Sequence, residues 1–283
     1  MHLKLFKTLW GFTGSIAEAC ELARVQGFDG IEGPAPAEKI SRQQFLQELQ
    51  MHHLDYIAEI TTAGSYVPDL RATPQQHLDS LHEKLQHSLE LQPHSITCLA
   101  GSDAWPESEQ LKFFESALRL AELIDVPMSF ETHRSRSLFN PWIAQRIAAE
   151  FPQLLFTCDF SHWCVVCERL LDDDVHGVAR MAKQAQHIHA RVGYDQGPQV
   201  PHPAAPEYAD ALAAHRHWWE LIWHSQLERG FEITTMTPEF GPDGYLQAQP
   251  FTQKPVADLE DINCWMANNE RTHFAEWITT ARR

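Results

Sequence analysis

An α/β fold of the (β/α)8 barrel class, with one domain over residues 1–283, is predicted by three observations. Short apolar runs alternate with longer amphipathic stretches eight times along the chain. The runs are apolar on both faces, as parallel strands are when helices cover them. No linker or change of composition divides the sequence, and eight strand–helix units fill a chain of this length as a closed barrel does. An open doubly wound sheet would usually carry a glycine-rich phosphate loop after its first strand. Here that turn reads WGFTGS and lacks the spacing.

The units follow in order. LKLFKTLWGF (3–12) reads as a strand and SIAEACELARVQG (15–27) as its helix. FDGIEG (28–33) precedes a helix near 41–53, and LDYIAEITTAG (54–64) precedes one over 73–91. HSITCLAG (94–101) pairs with 107–126, PMSFETH (127–133) with 140–151, and LLFTCDFSH (154–162) with 170–186. HIHARVG (187–193) runs into a proline-rich loop (194–206) and then the helix 206–230. FEITTMTPEFGP (231–242) is the eighth strand, and a C-terminal helix follows over about 258–283. Ser41, Thr73 and Asn140 are the expected N-caps, because their side-chain oxygens accept from free amides of the first turn.

Side chains at the C-terminal ends of barrel strands meet at one mouth. Strand two brings Glu32 there, strand five Glu131 and His133, and strand six Asp159 with His162 just beyond. Strand seven brings His187, His189 and Arg191 at alternate positions, hence on one face, and strand eight brings Glu239. Unpaired carboxylates are costly to bury, and a divalent cation cancels their charge. Glu131, Asp159, His189 and Glu239 form an oxygen-rich donor set suited to Mn2+ above all, with Mg2+, Co2+ and Zn2+ also compatible. His189 lies nearer the strand exit than His187, which is expected one layer deeper. Each residue has a plainer reading: Asp159 as a helix cap, Glu239 in a turn, the histidines as core side chains. Trp10, at the end of strand one, is expected either to stack on a ligand or to pack the rim.

Acidic residues outnumber Lys and Arg by 38 to 22, a formal charge of −16. A field of that sign repels phosphate backbones and speaks against nucleic-acid binding. No apolar run approaches the ~18 residues of a membrane span. Six cysteines within or beside apolar runs, and no secretory leader, point to a cytoplasmic protein with free thiols. Cys164 and Cys167 have CxxC spacing without a second pair, and are read as structural. Trp218, Trp219 and Trp223 are expected to pack on the barrel wall or on a subunit of a homo-oligomer. Asp172, Asp173 and Asp174 read as a solvated helix start.

The runs ETH (131–133), DFSH (159–162), HAR (189–191) with the GPQVP loop, and PEFGP (238–242) resemble the xylose isomerase-like TIM-barrel superfamily, the sugar phosphate isomerase/epimerase group. The resemblance extends over nearly the whole chain as strand–helix order. It implies that Glu131, Asp159, His189 and Glu239 bind one divalent metal, and that His162 lies near substrate oxygens. It also implies that the two glutamates, Glu131 and Glu239, move the proton, as in ketose 3-epimerases of this group. Those epimerases carry an arginine six residues past the metal histidine. Here that position is Asp195, and Arg191 is the nearest candidate.

The expected function is therefore a metal-dependent isomerase or epimerase of a ketose or related polyhydroxy carbonyl compound. His133, His162, Arg191, Trp10 and Glu32 are the candidate substrate contacts, with the proline-rich loop as a lid. A dehydratase of a keto-inositol-like compound is the alternative. Further from it stand an apurinic-endonuclease-like hydrolase and a non-catalytic binder. The missing Lys/Arg cluster at strand ends seven and eight favours an unphosphorylated ligand.

Overall fold

A computed structural model describes residues 1–242 and 244–281. Eight parallel strands close into a barrel in sequence order, β1 beside β8. The strands are β1 (His2–Thr8), β2 (Gly30–Gly33), β3 (Asp55–Thr61), β4 (Ser95–Leu99), β5 (Met128–Glu131), β6 (Leu155–Cys158), β7 (Ala185–His189) and β8 (Ile233–Thr237). The helices are α1 (Ile16–Val25), α2 (Lys39–His52), α3 (Pro74–Leu89), α4 (Glu107–Ala121), α5 (Pro141–Glu150), α6 (Phe160–Cys167), α7 (Val178–Ala182), α8 (Ala209–Glu228) and α9 (Leu259–Ala281). The predicted (β/α)8 barrel is thus the observed fold. No helix among the described residues is long and apolar enough to cross a membrane.

Local chemistry accounts for most boundaries. Thr73 and Asn140 cap α3 and α5 as expected, accepting from the amides of Gln76 and Ile143. Ser15 forms a reciprocal capping box with Glu18 at the start of α1. Three expectations shift. Ser41 lies inside α2, which starts two residues earlier without a side-chain cap. The sixth strand ends at Cys158 and the chain turns at once into α6, so 159–162 is helix entry rather than strand. Asp172 caps a turn, accepting from Asp174 and Val175 amides, and the helix there begins only at Val178.

The apolar core lies between strands and helices. Phe113, Phe114 and Phe130 stack edge to face, and Trp163, Trp218, Trp219 and Trp223 are all buried. The three tryptophans of α8 therefore pack on the barrel wall within this chain. Cys164 and Cys167 are buried in α6, where burial pushes both thiols up, away from the reactive thiolate.

Inside the barrel the packing is polar. Thr97, Ser129 and Thr157 share hydroxyl hydrogen bonds of 2.7–3.0 Å, where such barrels commonly place branched apolar side chains. Thr235 and Thr237 extend this lining to β8, and all five are buried.

Arg136 fastens the mouth loops. It is buried, and its guanidinium donates to the carbonyls of Thr62 (2.6 Å), Tyr66 (3.2 Å) and Gly101 (3.2 Å), and to that of Ser65. Arg136→Leu leaves these acceptors unpaired and is expected to lower unfolding free energy by about 2–4 kcal/mol in urea titrations.

Candidate metal centre and cleft

Glu131 and His189 end β5 and β7, Asp159 follows β6 as the cap of α6, and Glu239 lies two residues past β8. One donor atom from each of Glu131, Asp159, His189 and Glu239 lies within 4.8 Å of the others. Glu131, Asp159 and His189 are nine-tenths or more buried, and Glu239 is 7% exposed. The close packing at the strand ends includes Gly241, where a Cβ would lie 2.1 Å from the Trp10 ring. Behind Glu239, the amide of Phe240 donates to Asn263 Oδ1 (2.9 Å), and Asn263 Nδ2 donates to the Phe240 carbonyl (3.0 Å). Gln199, buried in the proline-rich loop, brackets Gly241 in the same way.

His189 Nε2 faces Glu32 Oε1 at 3.1 Å, while Nδ1 faces Glu239 Oε2 at 3.0 Å and Glu131 Oε1 at 3.5 Å. His189 Nδ1 and Glu131 Oε2 are buried yet make no hydrogen bond of good geometry among the described residues. Donors that converge on one point without bonding each other fit a shared cation. Electrostatics agrees. Burial alone would lower the proton affinity of His189, yet Glu239, Glu32 and Glu131 push it well above the usual imidazole range. Any cation at that point feels the same field. Three carboxylates and one imidazole make a hard, oxygen-rich set, so the residues present fit one divalent ion.

Glu32 was expected at the substrate. It lies instead beneath His189, buried, with its carboxylate shared between His189 and His187 (3.1 Å each). Burial pushes its carboxyl up, but the two imidazoles override that and hold it well below the usual range. It fixes the tautomer that leaves Nδ1 of His189 turned to the donor set. His187 sits one layer down as expected, bonded to Thr235 (2.7 Å) and Thr237 (3.1 Å).

Arg191 is buried and engaged on every side. Its Nε donates to Ser161 Oγ (3.0 Å), Nη1 to the Glu239 carbonyl (3.3 Å), and Nη2 to Asp159 Oδ2 and to His162 Nε2 (2.6 Å). Because a guanidinium only donates, His162 must accept at Nε2 and carry its proton on Nδ1. Asp159 both caps α6, accepting from Ser161 N (3.0 Å), and belongs to the donor set. The cap reading and the ligand reading of Asp159 thus hold together in geometry. Burial, opposed by Arg191, raises the Asp159 carboxyl, and burial, opposed by His189, pushes Glu131 up to about 7.

Glu131, His133 and His162 form a second group of possible donors. Burial and the nearby guanidinium groups, Arg191 foremost for His133, hold both imidazoles well below their usual range. The same positive charge opposes a second cation.

The donor set opens into a cleft of about 220 Å3 lined by Trp10, Glu59, Tyr66, Glu131, His133, Arg191, Glu239 and Tyr245, among others. Trp10 meets Tyr245 edge to face at 4.9 Å. Neither Glu32 nor His162 lines this cleft, and Tyr194 and His202 of the expected lid do not either. Glu59, Tyr66 and Tyr245 escaped sequence reasoning. Glu59 was readable, since it shares the inward face of β3 with Ile57 and Thr61. Tyr66 and Tyr245 sit in loops whose course no periodicity fixes. Burial, reinforced by Glu239, Glu32 and Glu131, pushes the Glu59 carboxyl up to about 8.

Raised carboxyls carry a stability signature. Their contribution is present below their unfolded values and lost as pH rises through about 7 for Glu131 and about 8 for Glu59. Chelator-treated protein should therefore lose melting temperature over this range, Glu59→Gln should lose less, and added Mn2+ should restore it; scanning calorimetry checks all three.

No protein-family profile and no curated protein sequence matches the chain. Solved structures do. A xylose isomerase-like TIM barrel protein from Mycobacterium smegmatis in complex with magnesium is 12% identical, with a TM-score of 0.65 over 98% of this chain and 97% of that one. D-psicose 3-epimerase, crystallised in the presence of D-fructose, is 11% identical with a TM-score of 0.63 over 95% and 98%. The probable 3-DHS dehydratase AsbF from Bacillus anthracis is 15% identical with a TM-score of 0.60 over 95% and 98%. At these identities the likeness is one of architecture, and the chain has the xylose isomerase-like TIM-barrel fold.

Proposed function

We propose that this protein is a divalent-metal-dependent isomerase or epimerase of a ketose or related polyhydroxy carbonyl compound. The observation that carries this reading is that Glu131 and Glu239 belong both to the donor set and to the lining of the cleft. Two carboxylates so placed reach a bound ligand from two separate strands. Sugar epimerases and a probable 3-DHS dehydratase among the structural neighbours support related chemistry.

Glu131, Asp159, His189 and Glu239 would hold the ion, with Mn2+ the first choice and Mg2+, Zn2+ or Co2+ as substitutes. Bound there, a divalent ion supplies Lewis-acid polarisation of a carbonyl. One glutamate takes the proton alpha to the carbonyl. The other returns a proton to the opposite face, giving epimerisation, or to the adjacent carbon, giving isomerisation. Arg191 holds Asp159 and the backbone of Glu239 in place, and Glu32 orients His189. His133 and Trp10 bound the ligand laterally, and His162 acts through Arg191.

Glu59 favours a second reading. It makes no hydrogen bond or ion pair among the described residues and sits in the cleft beside Glu131 and Glu239. A protonated carboxyl there would deliver its proton to a departing hydroxyl. A neighbouring glutamate takes the alpha proton as the beta C–O bond breaks, water leaves, and an unsaturated carbonyl compound remains.

Incubation in D2O with Mn2+ and a panel including D-fructose and D-allulose tests both. Deuterated ketose is expected from the first reaction and an unsaturated product from the second; neither product across the panel sinks both readings. Glu131→Gln and Glu239→Gln are each expected to cut exchange by about 10²–10⁴-fold. Glu32→Gln should weaken Mn2+ binding by about 10–100-fold, read by calorimetric titration, because His189 loses its orienting partner.

A further inference from the structure

Three of the four candidate donors are placed by regular structure. Glu131 and His189 are the last residues of β5 and β7, and Asp159 caps α6. Glu239 differs. On one side the β8 ladder ends with Leu5 opposite Met236, and on the other with His189 opposite Thr237. The Ala190 amide still reaches the Thr237 carbonyl (2.8 Å). Glu239 lies two residues beyond that point, where strand pairing no longer fixes the chain.

Side chains take over where the ladder stops. Arg191 Nη1 donates to the Glu239 carbonyl (3.3 Å). Asn263 of α9 accepts from the Phe240 amide (2.9 Å) and donates to the Phe240 carbonyl (3.0 Å). Gln199 accepts from the Gly241 amide (2.9 Å) and donates to the Gly241 carbonyl (3.3 Å). A primary amide that takes and gives one bond on a single residue does what a facing strand residue does. Both side chains are buried, so water competes little for these bonds. The loop that carries Gln199 is itself held. The Val200 amide donates to the Val192 carbonyl (2.9 Å), Tyr194 and Gly197 pair backbone to backbone, and the Gly193 amide donates to His215 Nε2 (3.2 Å).

We propose that Gln199 and Asn263 are positioning residues for Glu239, and that the proline-rich loop is a fixed brace of the metal centre rather than a moving lid. This rests on the proposed function, in which Glu239 both holds the ion and moves a proton. Metal–ligand distances hold to about 0.2 Å. A slack backbone at Phe240 and Gly241 would spread the Glu239 carboxylate over a wider range than that. Neither Gln199 nor Asn263 lines the cleft, so both act through Glu239 and not on the substrate.

Calorimetric titration with Mn2+ tests this on the full chain. Gln199→Met and Asn263→Leu keep the volume and remove the paired bonds, and each is expected to weaken Mn2+ binding by about ten-fold or more. Leu81→Ala, a core truncation in α3, destabilises the protein but should leave the affinity within about two-fold. In Glu239→Gln protein, which keeps three donors, adding Gln199→Met should change the affinity by no more than about two-fold, because the residue through which Gln199 acts is already gone. Amide exchange read by NMR on the unaltered protein needs no variant to fold. The Phe240 and Gly241 amides should exchange as slowly as those of β8, although they lie beyond its ladder. Tight Mn2+ binding in both variants, an equal loss in Leu81→Ala, a full further loss in the Glu239→Gln background, or fast exchange of the two amides overturns this inference and leaves the proposed function standing. Failure of the unaltered protein to bind any divalent ion overturns the proposed function, and this inference with it.

Discussion

Repulsion among carboxylates governs this molecule. Glu32, Glu59, Glu131, Asp159 and Glu239 converge at one end of a barrel, four of them buried and one half-buried. Like charges at such spacing in a poorly hydrated interior raise one another's energy steeply. Every polar feature nearby answers that cost. Two imidazoles bracket Glu32, a guanidinium lies on Asp159, and Glu131 and Glu59 are pushed toward their protonated forms. A fold driven by burial alone would not gather these groups. Their presence together is the physical argument that the barrel is built to hold positive charge at its mouth.

The support for that site reaches well below it. The threonine and serine hydroxyls inside the barrel hydrogen-bond to one another. Beside them, with Thr157 in register with His187, runs a second polar column from Thr235 through His187 and Glu32 to His189. Such a column orients the imidazole by a chain of directional contacts. An apolar interior would pack as densely but would leave the imidazole ring free to choose its tautomer.

Much of this was legible in the sequence, and the reasons are physical. Strand alternation with period two placed Glu131, Asp159, His189 and Glu239 at the strand ends, and the barrel closes those ends into one ring. His187 fell one layer deeper for the same reason. The place of Glu32 against His187 and His189 could not be read, because alternation gives the face of a strand but not the depth of a side chain among its neighbours. The entry to α6 was misread because an apolar run such as LLFTCDFSH carries no period that separates strand from buried helix. Arg136, Asn263 and Gln199 were invisible, since their role lies in contacts between loops distant in sequence. Among the cleft residues, Glu59 shows inward alternation, but one carboxylate on a strand carries no signal until its neighbours are known.

The pairing of Asn263 with the backbone of Phe240 ties the end of the chain to the mouth of the barrel. A nascent chain that has presented all eight strands, but not yet the segment around Asn263, owns every candidate ligand without the anchor behind Glu239. The docking of α9 thus closes the backbone behind Glu239, although that helix gives no side chain to the described donor set.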